Sequence, residues 1–147
     1  MLIQLAIGSA LILATTVIHG LWTLVGISLV RGLYENHDGV PSSWYNTLIL
    51  AAIVLWLFLA SVAEVWLWAS VYLHLGALET LEEALYFSTV TFSTLGYGDV
   101  VLEESWRLLG AFEAANGLFL FGWSTALVFL VVQRLHFVGA SKDRNSS

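Results

Sequence analysis

The chain has 147 residues, of which 59% are hydrophobic and 11% charged, with a net charge of -6 and a mean hydropathy of +0.83. Soluble domains are about 45–50% apolar and about 25% charged, so this composition indicates a lipid-embedded protein with no length left for a separate soluble enzyme domain. Cysteine is absent, which excludes disulfides and thiolate chemistry, and the lack of any basic stripe gives nucleic-acid binding little support.

The first apolar stretch has no charged side chain from Met1 to Val30. A bilayer-spanning helix needs about 20 mostly apolar residues, so we predict a transmembrane helix over residues 1–31. A cleaved signal peptide is the less favoured interpretation, because the stretch lacks a basic start and its apolar run is too long. Residues 32–46 hold the single proline, Pro41, among Gly, Asn, Asp and Ser, and are predicted to be a cytoplasmic linker.

Two further apolar stretches predict an outer helix over residues 47–75 and an inner helix over residues 105–134. Together they bound a predicted pore domain over residues 47–134. The polar residues 135–147 are predicted to be a short cytoplasmic tail, disordered after Phe137.

A shorter helix is predicted between them, over residues 80–92. Thr80 and Glu83 have the spacing of a capping box, and an apolar run follows. A dozen residues make roughly 18 Å of helix, which is too short for a hydrocarbon core of about 30 Å. The helix is therefore predicted to enter the membrane and stop, which is tolerated only inside protein or beside a water-filled cavity.

The residues after this helix are Thr94-Leu95-Gly96-Tyr97-Gly98-Asp99. Glycine reaches unusual backbone dihedrals at little steric cost, so Gly96 and Gly98 allow successive carbonyls to face one way and replace the water around a cation. The Thr94 hydroxyl adds a further oxygen. One chain supplies one wall of such a ring, so the chain must assemble, most simply as a homotetramer.

This segment resembles the potassium-channel signature Thr-Val-Gly-Tyr-Gly, and residues 48–132 resemble the two-helix pore module of small prokaryotic pore-only potassium channels. The resemblance implies an all-α membrane protein with the potassium-channel pore fold, including a re-entrant pore helix and a filter loop. With the helix predicted over residues 1–31, which lies outside the resemblance, this makes three transmembrane helices per chain. The sequence departs from the family at Leu95, where Val or Ile is usual, and it lacks the proline that often follows soon after the position of Asp99.

The resemblance also implies the partners: K⁺ ions, membrane lipids and identical subunits, with no cofactor and no nucleic acid, in a prokaryotic inner membrane. The filter residues it implies are Thr94, Leu95, Gly96, Tyr97 and Gly98, with K⁺ at the first four.

Charge placement predicts the orientation. Arg134, Lys142 and Arg144 follow the last helix against one acidic residue, which predicts a cytoplasmic C-terminus and an outside N-terminus. Acidic residues then gather at the outer mouth, where they would concentrate cations; a merely solvated acidic loop is the alternative. They are Glu79, Glu82, Glu83, Asp99, Glu103 and Glu104.

The Tyr86–Asp99 pair, Glu64 and Glu113 are the candidates for side chains that support the filter. Family resemblance pairs Tyr86 with Asp99. Glu64 and Glu113 lie in apolar helices at similar counted depths, so we hypothesise that at least one braces the pore helix through Ser88 or Thr91; carboxylates without a role in permeation are the alternative. His19 is interpreted as a hydrogen-bonded packing residue rather than a pH sensor.

The inner helix carries Gly117 and Gly122. A hinge and close helix packing remain open for Gly117, and packing is favoured for Gly122. With Gly117 level with the cavity, helical spacing makes Leu118, Phe121 and Thr125 the candidate cavity lining.

Three functions follow in order of preference: a potassium-selective channel subunit, a non-selective monovalent cation channel, and a non-conducting modulatory subunit. An enzyme is not expected, because no nucleophile with a base and no metal cluster is evident.

Overall fold

The computed structural model describes residues 1–35 and 42–143, and that part of the chain is helical without strands. The four helices are α1 (Leu2–Glu35), α2 (Ser43–His74), α3 (Leu81–Phe92) and α4 (Arg107–Asp143). By length and composition α1, α2 and α4 can each cross a membrane, whereas α3 has 12 residues and cannot. The chain is therefore an all-α membrane protein.

The helix ends differ from the predicted ones mainly in polar sequence, which is helical where the sequence predicts a loop. The linker was predicted over residues 32–46, but α1 continues to Glu35 and α2 begins at Ser43, capped by the Ser42 side chain. The inner helix was predicted to end at residue 134, but α4 continues to Asp143, so the segment predicted to be disordered is helical as far as that residue. Residues 36–41 and 144–147 lie outside the described residues, and so does the predicted loop at Pro41.

Helix α1 runs parallel to α4 and antiparallel to α2. Gln4 donates to the Ser105 carbonyl, and Asn116 donates to the Thr15 hydroxyl at 2.7 Å, so residues near the start of α1 meet residues near the start of α4. Deeper in α1, Trp22 and Trp56 of α2 each donate an indole N–H to the other's carbonyl at 2.9 Å. The N-terminus and the segment after α3 therefore lie at one end of the bundle.

Helix α3 is held between α2 and α4. Tyr72 of α2 meets Phe87 of α3 edge-to-face at 5.3 Å between ring centroids, and Phe92 is almost completely buried. Leu109 and Leu120 of α4 complete this core. Lipid tails are as apolar as these side chains, so close packing rather than removal from water stabilises the arrangement.

Candidate functional site

The start of α3 is fixed by a capping residue. Thr80 has an extended backbone, and its hydroxyl accepts a hydrogen bond from the Glu83 amide at 3.2 Å. The Glu83 carboxylate accepts from the Glu79 amide at 3.4 Å, one residue earlier than a capping box places it. The Glu83 amide, which has no partner within the first turn of α3, and the Glu79 amide just before the helix are satisfied in this way.

The end of α3 leads directly into the glycine-rich segment. The Val90 carbonyl accepts from the amides of Leu95 and Gly96, at 3.0 and 3.2 Å. The Thr94 amide donates to the Thr91 carbonyl at 2.9 Å. These bonds fold the first residues of the segment back on the last turn of α3, so the helix end fixes where the segment begins.

The backbone of this segment alternates in handedness. Thr94, Gly96 and Gly98 have positive φ angles of 61°, 56° and 77°, whereas Leu95 and Tyr97 do not. A positive φ is easy for glycine and strained for a β-branched residue such as Thr94. Strain of this kind persists where the surroundings impose it and is concentrated at functional sites.

The segment is also exposed in the single chain. Every residue from Ser93 to Asp99 is exposed, and the large side chains of Leu95 and Tyr97 are 56% and 68% exposed. Irregular backbone at membrane depth survives only when protein or a water-filled cavity surrounds it. One chain alone does not provide those surroundings.

The structure brings the predicted pair Tyr86 and Asp99 together. The Tyr86 hydroxyl donates to Asp99 Oδ2 at 2.5 Å, and the other carboxylate oxygen accepts from the Val100 amide at 3.1 Å. The Tyr86 hydrogen bond favours the charged carboxylate and so lowers the pKa of Asp99 below its ordinary value. A tie between α3 and the end of the glycine-rich segment results.

We expect Tyr86→Phe to raise the pKa of Asp99 towards its ordinary value of 3.8, because the stabilising hydroxyl is removed. A group whose pKa is depressed by folding contributes stability at neutral pH and loses it as pH falls through the folded pKa. The variant lacks this tie at every pH, so Asp99 should take up its proton at a higher pH than in the wild type, and the stability that the tie contributes at neutral pH should be missing. Titration of the Asp99 carboxyl carbon by NMR measures the shift, with Tyr45→Phe as the control; an unchanged midpoint would contradict it.

Glu113 joins three helices. It is fully buried, its Oε2 accepts from the Tyr72 hydroxyl of α2 at 2.7 Å, and its Oε1 is hydrogen-bonded to the Ser88 hydroxyl of α3. Ser88 and Thr91 were the two partners hypothesised for a bracing carboxylate, and in the structure Glu113 contacts Ser88. The sequence did not point to Tyr72, which lies 41 residues away along the chain.

The number of hydroxyl hydrogens limits how Glu113 and Ser88 are hydrogen-bonded. The Ser88 hydroxyl also lies 3.0 Å from the Val65 carbonyl, yet it has one hydrogen for two acceptors. A proton shared on Glu113 Oε1 would complete a chain from Tyr72 through Glu113 and Ser88 to Val65. Glutamine can reproduce that chain, because its amide group donates on one side and accepts on the other.

Glu64 has a different partner from the one hypothesised. Its Oε1 lies 2.9 Å from His19 Nδ1 of α1, and both side chains are fully buried. Eight residues of α2 separate Glu64 from Tyr72, about 12 Å of helix, so Glu64 lies well below the level at which α3 meets Glu113. The ring of His19 also reaches Ser124 of α4 through Nε2, at 3.1 Å.

Gly117 lies where α4 crosses the end of α3. A Cβ at Gly117 would be 1.9 Å from the Phe92 carbonyl oxygen, so only glycine permits this approach. A Cβ at Gly122 would meet nothing within 4 Å in the single chain. Close packing therefore accounts for Gly117, and the packing favoured for Gly122 is not found within one chain; a hinge at Gly117 stays a prediction.

The three predicted cavity-lining residues lie along one exposed stripe of α4. Leu118 is 64% exposed and Phe121 is 37% exposed, and Thr125 is also exposed. The Phe121 ring meets Phe92 edge-on at 5.6 Å, which places the stripe beside the end of α3. The stripe is available to line a cavity below the glycine-rich segment.

Comparison with known families identifies the chain. A family model described as "Ion channel" matches residues 47–134, which covers α3, the glycine-rich segment and most of α2 and α4. No curated protein matches the chain. No solved structure matches it either. The match covers more than half of the chain, so this protein belongs to the ion channel family.

Proposed function

We propose that the chain is one subunit of a homotetrameric, potassium-selective channel whose filter is formed by residues 94–98. The observation that carries the proposal is the alternating backbone of Thr94, Gly96 and Gly98 directly after a half-length helix. Alternate left-handed residues allow an extended strip to turn its carbonyls towards one side. Rings of such carbonyls replace the hydration shell of K⁺.

The sequence of the strip supports potassium over other cations. Non-selective channels with the same fold usually break the Tyr-Gly pair, whereas this chain keeps Tyr97 and Gly98. The bonds from Tyr86 to Asp99 and from Glu113 to Ser88 support the strip and the helix behind it. A supported filter can hold a fixed set of oxygens around a dehydrated ion.

The exposed filter supports assembly. Leu95 and Tyr97 are large, apolar or amphipathic, and more than half exposed in one chain. Four copies around one axis would cover these side chains and at the same time close the carbonyl rings. The exposed stripes of Leu118, Phe121 and Thr125 would then face each other below the filter.

Surface charge supports cation conduction. The segments before α3 and after the filter share one end of the bundle, and they expose acidic side chains there. One of these, Glu104, lies 3.7 Å from Arg107, and that pair is exposed. An acidic mouth raises the local cation concentration. The exposed acidic residues are Glu79, Glu82, Asp99, Glu103 and Glu104. We place this end outside the cell, with the C-terminus in the cytoplasm.

Purified protein in liposomes provides the test. We expect it to carry K⁺ and Rb⁺ but little Na⁺, with block by Ba²⁺. Gly98→Ala should abolish the flux, because φ is 77° there and an alanine side chain would be strained. Gly20→Ala is the matched control, since its Cβ would be 3.9 Å from the nearest side chain, an ordinary contact.

The alternatives give different results in the same assay. Equal Na⁺ and K⁺ flux would indicate a non-selective channel. The absence of flux from protein that remains assembled would indicate a modulatory subunit.

A further inference from the structure

His19 is the point at which α1, α2 and α4 meet. With Nδ1 donating to Glu64 at 2.9 Å, Nε2 is left to accept from the Ser124 hydroxyl at 3.1 Å. The imidazole is fully buried, and the Trp123 ring lies edge-on to it at 5.7 Å. One side chain of the N-terminal helix therefore connects both membrane-spanning helices of the pore domain.

Helix α4 is attached unequally along its length. Up to Gly117 it is held by buried groups, including Glu113 and Asn116, and Gly117 itself lies against α3. We call residues 118–134 the distal segment. From residue 121 to residue 134 no side chain is fully buried, so the Ser124 bond is made by a sparsely packed part of the helix.

Helix α1 contacts α4 on both sides of Gly117. Asn116 bonds Thr15 before that glycine, and Ser124 bonds His19 after it. A bend of α4 at Gly117 or Gly122 would leave the first bond in place and change the length of the second. The His19 bond is therefore sensitive to where the distal segment lies.

Helical spacing shows on which side of α4 the hydrogen bond between Ser124 and His19 lies. Asn116, Leu120 and Ser124 are four residues apart, so they share the stripe of α4 that faces the other helices. The predicted cavity-lining residues Leu118 and Thr125 lie on a different, exposed stripe. A bond at Ser124 therefore pulls the distal segment towards α1 and α2, not towards the cavity.

We propose that His19 is a positioning residue for gating: through Ser124 it holds the distal segment away from the pore axis, where the segment leaves the pore open, and so favours the conducting state. The inference rests on the proposed function, because the axis exists only in the assembled channel. It gives α1, which lies outside the matched pore region, a role in gating. Glu64 orients the imidazole from the opposite side.

Ser124→Ala tests the proposal most gently, because it removes one hydroxyl and leaves His19 bonded to Glu64. A hydrogen bond of this kind changes an equilibrium by between about twofold and about tenfold. We expect the ratio of open to closed time to fall by that factor for each subunit that contributes, with single-channel conductance and ion selectivity unchanged. Ser124→Thr keeps the hydroxyl and should retain wild-type gating.

Thr16→Ala is the matched control on α1, because the Thr16 hydroxyl bonds the Ile12 carbonyl of its own helix. His19→Phe should reproduce the Ser124→Ala effect, and the double variant should add nothing further, as expected for two partners in one bond. Unchanged or increased open time in Ser124→Ala, with intact conduction, would overturn the proposal.

Distances across the assembly provide a readout that does not need current. The chain has no cysteine, so a single spin label can be placed at Phe129→Cys in the exposed part of the distal segment. The label-to-label distance across the axis should shorten when Ser124→Ala is added. An unchanged distance would contradict the positioning role, whereas a wild-type protein that assembles but does not conduct would contradict the proposed function instead.

Discussion

Gly117→Ala should destabilise the folded protein by more than about 3 kcal/mol and abolish conduction. The added methyl would lie 1.9 Å from the Phe92 carbonyl oxygen, and that oxygen is backbone at the end of α3, so it cannot move aside without displacing the glycine-rich segment that follows. Overpacking a side chain alone costs about 1–3 kcal/mol, and a backbone obstacle leaves fewer ways to relax. Thermal unfolding of the purified protein and ion flux measure the two effects.

Gly122→Ala is the matched control on the same helix. Its methyl would meet nothing within 4 Å in the chain, and alanine is favoured over glycine in a helix by about 1 kcal/mol. It should unfold at an equal or slightly higher temperature than the wild type. Equal losses for the two variants would mean that the approach of α4 to α3 is not what Gly117 provides.

Glu113→Ala should cost about 3 kcal/mol and make the current decay faster. The variant leaves the Tyr72 hydroxyl buried without its acceptor, and an unsatisfied buried group costs about 1–3 kcal/mol; the Ser88 hydroxyl keeps the Val65 carbonyl but loses its bond to α4. It also removes the side-chain bond between α4 and α3, so the helix that leads into the glycine-rich segment loses one of its supports. The thermal midpoint and the rate of current decay under steady voltage measure these effects.

Glu113→Gln and Ser88→Ala separate the effect of the lost hydrogen bonds from the effect of the lost side-chain volume. Glu113→Gln should stay within about 1 kcal/mol of the wild type, because its amide can replace both hydrogen bonds. Ser88→Ala should lose about 1 kcal/mol and share the faster decay, whereas Thr89→Ala, whose hydroxyl bonds the Leu85 carbonyl of its own helix, should not. Wild-type decay in both Glu113→Ala and Ser88→Ala would remove the bracing role.

The helices and the glycine-rich segment were predictable because their signals are local. Apolar length predicts spans, the Thr80 cap marks the start of α3, and the glycines mark where the backbone leaves the helix. The ends of α1 and α4 were less predictable: α4 continues through polar residues to Asp143, because polarity alone does not end a helix without proline or a glycine cap.

Partners across helices were the hardest part to predict. Glu64 and Glu113 are equivalent when depth is counted from helix ends, but in the structure Glu113 lies at the level of Tyr72 and Ser88, whereas Glu64 lies about two turns of α2 below and meets His19 instead. His19 looked isolated in the sequence, since its partners lie 45 and 105 residues away. The buried polar residues were a correct signal of contacts, and only tertiary packing decided which contacts form.

The reversal potential of the purified protein in a planar bilayer, with K⁺ on one side and Na⁺ on the other, tests most directly whether residues 94–98 form a potassium filter. We expect a potential close to that of a membrane permeable to K⁺ alone, and we expect Gly98→Ala to abolish it. A potential near zero, with ions of both kinds crossing equally, would contradict it.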